Sequence, residues 1–264
     1  MIVVIKGAGD LATGVACRLK SCGFSVLMTE TPQPTTVRRT VAFSRAVYEG
    51  MAQVEGFHAV LVSDKKEAED AMSRGWIPVM VDPEACIVRE ISPDVVVDAI
   101  LAKRNINTSR NDAPVVIALG PGFSAGTDCH AVVETMRGHF LGKVYYRGSA
   151  IPNTGIPGEV GGYTKERILR APCEGIFRPC VEIGDRVQKG DRVALVDGSP
   201  VTAQLSGIVR GLLQDGVPVV KGMKSGDVDP RCKREYCFSV SDKARSIAGG
   251  VLEAIIRLSP SSSF

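Results

Sequence analysis

The run Ile2-Val3-Val4-Ile5-Lys6, continuing as Gly7-Ala8-Gly9-Asp10-Leu11-Ala12-Thr13-Gly14, decides how the rest of the chain is read. Four consecutive apolar residues are expected of a strand buried on both faces of a parallel sheet. The glycines then turn the chain into a helix with a stripe of Leu11, Val15 and Leu19, flanked by Ala12 and Ala16. Gly23 ends that helix as a C′ glycine does, and Phe24 to Met28 reads as a second strand finishing at Thr29-Glu30. The opening is a βαβ-type unit. Within it, Gly7-x-Gly9-x-x-Ala12 fits the dinucleotide-binding pattern. Gly7 permits the tight turn, Gly9 lets a pyrophosphate approach the backbone, and Ala12 lets helix and strand pack closely. The helix N-terminus offers its N–H groups to phosphates. Glu30, 21 residues after Gly9, stands where an acid accepts a hydrogen bond from a ribose 2′-hydroxyl. Asp10 would repel a pyrophosphate unless it faces away, and reads as the N-cap of the helix. The candidate cofactor-binding residues are therefore Gly7, Gly9, Asp10, Ala12, Thr13, Gly14 and Glu30, for NAD or another dinucleotide. The alternative is a fold that keeps the turn and binds no dinucleotide.

Further on, strands and helices keep alternating. Val37 to Val47 suggests a helix, Ala59 to Val62 a strand, and Lys66 to Arg74 a helix closed by Gly75. Ile77 to Val81 reads as a strand with Pro78 at its start or on an edge. Asp94 to Leu101 and Pro114 to Leu119 read as two more. This is the pattern of an α/β fold, a Rossmann-like doubly wound parallel sheet. Loops that follow its strands gather at the carboxyl edge, where ligands bind in open sheets. Asp98, Lys103, Arg104 and Asn105 lie on one such loop, and Gly120, Gly122 and Phe123 on another. With Arg38 and Arg39, which could grip a phosphate bidentately and admit NADP, these are the candidate substrate-binding residues. As a solvated face, the two arginines need no ligand. Asp128, His130 and Glu134 could share one side of a strand, but the chain has only 3 histidines and no paired H-x3-H, so no metal is assigned. No G-x-S-x-G occurs, and no catalytic residue is assigned.

The second half differs. Gly148 to Gly162 is rich in Gly, Pro and small polar residues, as in a linker or functional lid. Beyond it, Ala171-x3-Gly175-Ile176-x-Arg178 recurs as Ala203-x3-Gly207-Ile208-x-Arg210, an offset of 203 − 171 = 32. The register continues through Gly184/Gly216, Val187/Val219, Gly190/Gly222 and Val196/Val228. Two copies of short strands and turns close on each other because neither buries its apolar face alone. The pattern resembles the biotinyl/lipoyl-like barrel-sandwich hybrid, a small all-β domain, without the carrier lysine at the turn Val196 to Pro200. From Ser241, Ile247, Val251 and Ile255 form the stripe of an amphipathic helix. Gly249-Gly250 in its interior costs about 1 kcal/mol per glycine, which close approach to another element would offset. The expected domains are residues 1–165, Rossmann-like; 166–232, barrel-sandwich; and 233–264, packing back on the body.

Composition narrows the class. The chain has 264 residues, 44% hydrophobic and 23% charged, with 32 Lys+Arg against 29 Asp+Glu and a net charge of +3. No dense basic block marks a nucleic-acid binder, and no apolar run is long enough to span a membrane. The start at Met1 runs straight into a strand pattern without a signal peptide, so a cytoplasmic location is expected. The 8 cysteines include no C-x2-C pair; Cys232 and Cys237 alone cannot fill a tetrahedral metal site.

The strings Ile5 to Gly14, Met28-Thr29-Glu30 and Arg38-Arg39-Thr40-Val41-Ala42-Phe43 resemble the selenium-dependent molybdenum hydroxylase accessory (maturation) proteins of the YqeB type. The likeness continues through Asp98 to Asn105, Gly120 to Phe123, Pro152 to Glu159 and Gly161 to Arg167, and so spans nearly the whole chain. It implies a bacterial cytosolic protein that helps mature selenium-dependent, xanthine dehydrogenase-like enzymes. On that basis the chain is expected to bind a nucleotide-type small molecule, NAD or a molybdopterin dinucleotide, at the glycine loop. A molybdenum hydroxylase would be its protein partner, and a homo-oligomer is open. Two other readings stand beside it. One is an NAD(P)-dependent oxidoreductase with Lys103 or Asn105 orienting substrate; the other is a ligand-free adaptor for a molybdenum hydroxylase.

Overall fold

A computed structural model describes residues Met1–Ser259. The run Ile2–Lys6 forms β1, the glycine turn opens α1 (Asp10–Ser21), and Ser25–Glu30 forms β2. The stretch expected as one helix over 37–47 is broken. It gives two short 3-10 turns, Arg39–Val41 and Phe43–Arg45, and the single turn of α2 (Ala46–Glu49), closed by Gly50 in the left-handed region. A hairpin follows, β3 (Met51–Val54) and β4 (Phe57–Val62), then α3 (Lys65–Ser73), β5 (Ile77–Val81), α4 (Ile87–Ile91) and β6 (Val95–Asp98). β7 (Val115–Leu119), β8 (Ala131–Val133) and β9 (Val144–Tyr145) complete this series.

Among the described residues these nine strands form one sheet in the order β3-β4-β5-β2-β1-β6-β7-β8-β9. Its centre is parallel, while β3 against β4 and β8 against β9 are antiparallel. Pro78 lies inside β5, opposite Val60 of β4, and the ladder with β2 begins only at Val79. The proline therefore sits where β5 is paired on one side, which spares a ladder hydrogen bond.

The doubly wound Rossmann-like expectation is corrected here. No helix lies between β6 and β7 or between β7 and β8. That stretch of sheet is contacted instead by α5 (Asp242–Leu258), which comes from the far end of the chain and also packs on α1. Gly14 of α1 allows this: a Cβ there would stand 2.7 Å from the Cβ of Ala244. The buried stripe of α5, Ile247, Val251 and Ile255, matches the amphipathic pattern. The opposite face of the sheet buries Val4, Leu27, Val96 and Val116 with Ala68, Ala71, Ile87 and Phe123. No helix among the described residues is long and apolar enough to cross a membrane.

The remaining strands are β10 (Ile168–Arg170), β11 (Gly175–Pro179), β12 (Arg186–Val187), β13 (Arg192–Val196), β14 (Ser199–Thr202), β15 (Gly207–Leu212), β16 (Pro218–Val219) and β17 (Lys224–Asp229). The barrel-sandwich domain of the sequence reading is corrected to two four-stranded antiparallel sheets, β10-β17-β15-β12 and β14-β13-β11-β16. The 32-residue repeat maps β10 to β13 onto β14 to β17, and each copy lends its third-ranking short strand to the other: β12 pairs with β15, and β16 with β11. The chain divides into two units of interleaved segments. The first holds Met1–Pro34, Ala42–Thr154 and the residues from Val240 on; the second holds Thr35–Val41 and Gly155–Ser239. Residues 35–41 join the second unit through a bridge between Arg38 and Leu212, and Gly211 leaves room for the carbonyl of Val37.

Candidate functional site

The carboxyl ends of β1, β6 and β7 bring three loops together: 7–9, 99–114 and 120–130. Gly7 has φ +92° and donates its N–H to the Thr29 carbonyl at 2.9 Å. A Cβ on Gly7 would lie 3.1 Å from the carbonyl oxygen of Ala99, and one on Gly122 would lie 2.5 Å from the backbone nitrogen of Arg104. Both glycines therefore make room for the chain's own 99–104 backbone.

Glu30 has a local role as well. Its Oε2 accepts from the N–H of Ala8 at 2.9 Å and its Oε1 from that of Thr31 at 2.8 Å, so the carboxylate ties down the glycine loop. The N-cap of α1 is Gly9, with no side-chain cap, and Asp10 is the first helical residue; the capping role expected of Asp10 is thereby corrected. Ala12, Thr13 and Gly14 are buried. Thr13 Oγ1 donates to the Ala8 carbonyl and accepts from the N–H of Phe43 at 2.8 Å, holding the next segment in place. Of the seven candidate cofactor residues, Gly7, Gly9, Asp10 and Glu30 share the sheet edge, and the other three belong to helix packing.

Arg38 and Arg39 lie in the second unit. Arg38 is buried and donates to the carbonyls of Tyr236 at 2.9 Å and Ser239 at 3.2 Å, while Arg39 donates to that of Leu212 at 3.2 Å. Guanidiniums with these partners fasten the 35–41 segment. Phe123 is a core residue. Gly120, with φ +77°, faces Thr135, whose Oγ1 would lie 2.5 Å from a Cβ there. Asp128 accepts from the N–H of Ser124, His130 Nδ1 from that of Val116, and Glu134 from those of Thr135, Met136 and Ile151. Each is engaged by backbone.

What the edge does assemble is a buried polar centre that includes two residues the sequence reading did not single out. Lys6 and Asp98 end β1 and β6 as register partners, each 2% exposed. Lys6 Nζ donates to the Asn107 carbonyl at 3.1 Å, to Asn107 Oδ1 at 2.5 Å and to Thr108 Oγ1 at 2.7 Å. Thr108 Oγ1 donates to Asp98 Oδ2 at 2.6 Å, and Asp98 Oδ1 accepts from the N–H of Ile100 at 3.1 Å. Burial pulls the Lys6 ammonium below its ordinary pKa against the opposing charge of Asp98. Burial pushes the Asp98 carboxyl up, against the Thr108 and Ile100 hydrogen bonds and the charge of Lys6. The signal for Lys6 was a lysine closing an otherwise apolar strand. Nothing local in the sequence marks Thr108.

Above this centre the chain makes an excursion. Leu101 and Lys103 adopt φ +61° and +64°, and Asn105 closes the far side by accepting from the Thr108 N–H and donating to its carbonyl. Lys103 and Arg104 are exposed at the apex. These features define a class: a mixed α/β protein with a cation-bearing loop held over a buried Lys–Thr–Asp centre.

No protein-family model matches the chain. It is similar to the uncharacterized protein YqeB of Escherichia coli, 54% identical over 257 residues that make up 97% of this chain and 48% of that protein. The chain thus spans about half the length of its curated relative. Among solved structures it is similar to a succinylglutamate desuccinylase from Silicibacter, 12% identical over 86% of this chain and 84% of that one, with a TM-score of 0.26. It is also similar to the ectoine utilization protein EutE from Ruegeria pomeroyi, 11% identical over 86% and 84% of the two chains, with a TM-score of 0.28. At those scores no fold or activity carries over. The YqeB likeness holds; its name says nothing of selenium or molybdenum. The roles of maturation protein, nicotinamide oxidoreductase and hydroxylase adaptor are corrected. The relative that carries the likeness is itself uncharacterized and its name gives none of them.

Proposed function

We propose that this chain binds a small anionic molecule at the carboxyl edge of the nine-stranded sheet, with Lys103 and Arg104 as the anion-binding side chains. The observation that carries the reading is the left-handed backbone at Leu101 and Lys103. Neither residue is glycine, and such conformations cost roughly 1–2 kcal/mol each. They persist where surrounding structure over-determines them, and they cluster at ligand clamps. Here the enforcing structure is the buried Lys6–Thr108–Asp98 centre, and the strained segment presents two exposed cations. An ammonium and a guanidinium side by side suit a phosphate ester or a carboxylate, the guanidinium through paired N–H donors.

Isothermal titration of the protein with inorganic phosphate, pyrophosphate, citrate and a nucleoside monophosphate tests this and separates phosphate from carboxylate ligands. At least one should bind, and Lys103→Ala/Arg104→Ala should weaken it by about tenfold or more. Binding that survives the double substitution would place the anion elsewhere, and a wild-type protein that takes none of the four would overturn the reading.

A further inference from the structure

The 99–112 loop is fixed to the sheet beneath its apex by a closed set of hydrogen bonds. An ammonium has three N–H donors, and Lys6 finds three oxygens, all from Asn107 and Thr108. The Thr108 hydroxyl accepts from Lys6 and donates to Asp98, so one side chain joins two charges that end neighbouring strands. Asn107 Nδ2 adds a bond to Glu84 at 3.2 Å. Sheet packing asks for none of this. An apolar side chain of similar length would fill the place of Lys6 without a buried ammonium, and buried ion pairs are weak stabilisers next to apolar replacements. What the centre does is fix both ends of the excursion. Asp98 holds the N–H of Ile100 before Leu101, and Thr108 holds Asn105 after Arg104.

Resting on the proposed anion site, we infer that Lys6 and Thr108 are positioning residues, which hold the backbone from Leu101 to Arg104 in its binding geometry through the Thr108 hydroxyl bridge to Asp98. Neither touches the ligand. The hydroxyl is the critical group, so Thr108→Val, which keeps the shape and removes the bridge, should act like Lys6→Met, while Thr108→Ser should act like the wild type.

Two readouts on the full chain test this: amide hydrogen exchange over residues 100–106, and calorimetric affinity for pyrophosphate and citrate. The inference expects Thr108→Val to speed exchange in that segment and to weaken the bound anion, each by about tenfold. Thr108→Ser should restore both, and exchange in β1 and β6 should be unchanged. Wild-type exchange in Thr108→Val overturns the inference. So does faster exchange with unaltered affinity, which makes the centre structural only. A wild-type protein that takes neither anion overturns the site and this inference with it, whereas normal binding by both wild type and Thr108→Val removes the positioning role and leaves the site standing. If Thr108→Val does not fold, Lys6→Met is read in the same two assays.

Discussion

Gly122 and Gly126 show how much a single position depends on its neighbours. Both are left-handed, at φ +108° and +97°, yet a Cβ on Gly126 meets nothing within 4 Å while one on Gly122 meets Arg104 backbone at 2.5 Å. Gly126→Ala should therefore cost roughly 1–2 kcal/mol, the conformational term alone. Gly122→Ala must also displace the 99–104 segment and should cost about 2 kcal/mol more. Urea unfolding of the two variants decides the ranking. Cysteines divide by the same logic of surroundings. Burial pushes the Cys17 and Cys129 thiols up to about 12 and raises that of Cys237, whereas Cys22, Cys86 and Cys180 are exposed. Since the thiolate is the reactive form, alkylation at pH 8 followed by mass mapping should find label on the exposed three. The buried three should label only on unfolding.

At the scale of elements, α5 contains adjacent glycines of opposite meaning. A Cβ at Gly249 meets nothing within 4 Å, while one at Gly250 would lie 2.4 Å from the carbonyl oxygen of Gly142. Gly249→Ala should stabilise the protein by about 0.5–1 kcal/mol through helix propensity. Gly250→Ala should destabilise it, by about 1–3 kcal/mol, because α5 cannot then rest on the sheet edge. Thermal melts of the two variants should shift in opposite directions. In the second unit the repeat provides its own comparison. Arg210, Asp227 and Asp229 stand at the offsets of Arg178, Leu195 and Asp197. The first copy folds with a leucine where the second buries a carboxylate between Arg167 and Arg210. Arg167 also donates to the Gly158 carbonyl, so this ion cluster ties the glycine-rich stretch to the sheet. Burial acts to raise the Asp229 carboxyl. It is outweighed by hydrogen bonds from Arg231 and the charge of Arg210, which leave the group below its ordinary 3.8. A depressed carboxylate contributes stability above the unfolded value that is lost as pH falls through the folded one. Amide exchange in β15 and β17 should therefore accelerate as pH drops below about 4 beyond the intrinsic pH effect, and Asp229→Asn should flatten that response.

The whole molecule is organised by segments distant in sequence. Residues 35–41 leave the first unit to line the second, where Thr40 Oγ1 donates to the Cys237 carbonyl and Arg38 to those of Tyr236 and Ser239. Residues 155–239 produced alone would lack that segment. They should melt below the same fragment carrying 35–41 on a flexible linker, as followed by circular dichroism; equal melting temperatures would show that the segment adds nothing to the unit. The anion site, by contrast, is built within the first unit, so variants of the 155–239 stretch should leave its affinity unchanged.

Much of the local structure was legible because it is written in neighbouring residues. The apolar run of β1, the stripe of α1, the glycine that ends it, the 32-residue repeat and the stripe of α5 each follow from side-chain periodicity or backbone restriction over a few residues. Lys103, Arg104 and Asn105 were legible as a polar cluster after a strand. What the sequence could not supply was the partner of each feature. Gly7 and Gly122 require close approach, but only the tertiary structure decides that the 99–104 backbone does the approaching. Glu30 needs a donor, and the fold provides Ala8. Lys6 closes an apolar strand, and its three acceptors come from residues about a hundred positions away. Sequence alone determined the elements that carry a clear apolar run or stripe, such as β1, α1 and α5, since those rest on short-range sterics and burial periodicity, whereas the single helix expected over 37–47 did not form. Tertiary structure decided what those elements face, because non-local packing and hydrogen-bond pairing leave no periodic trace in the chain.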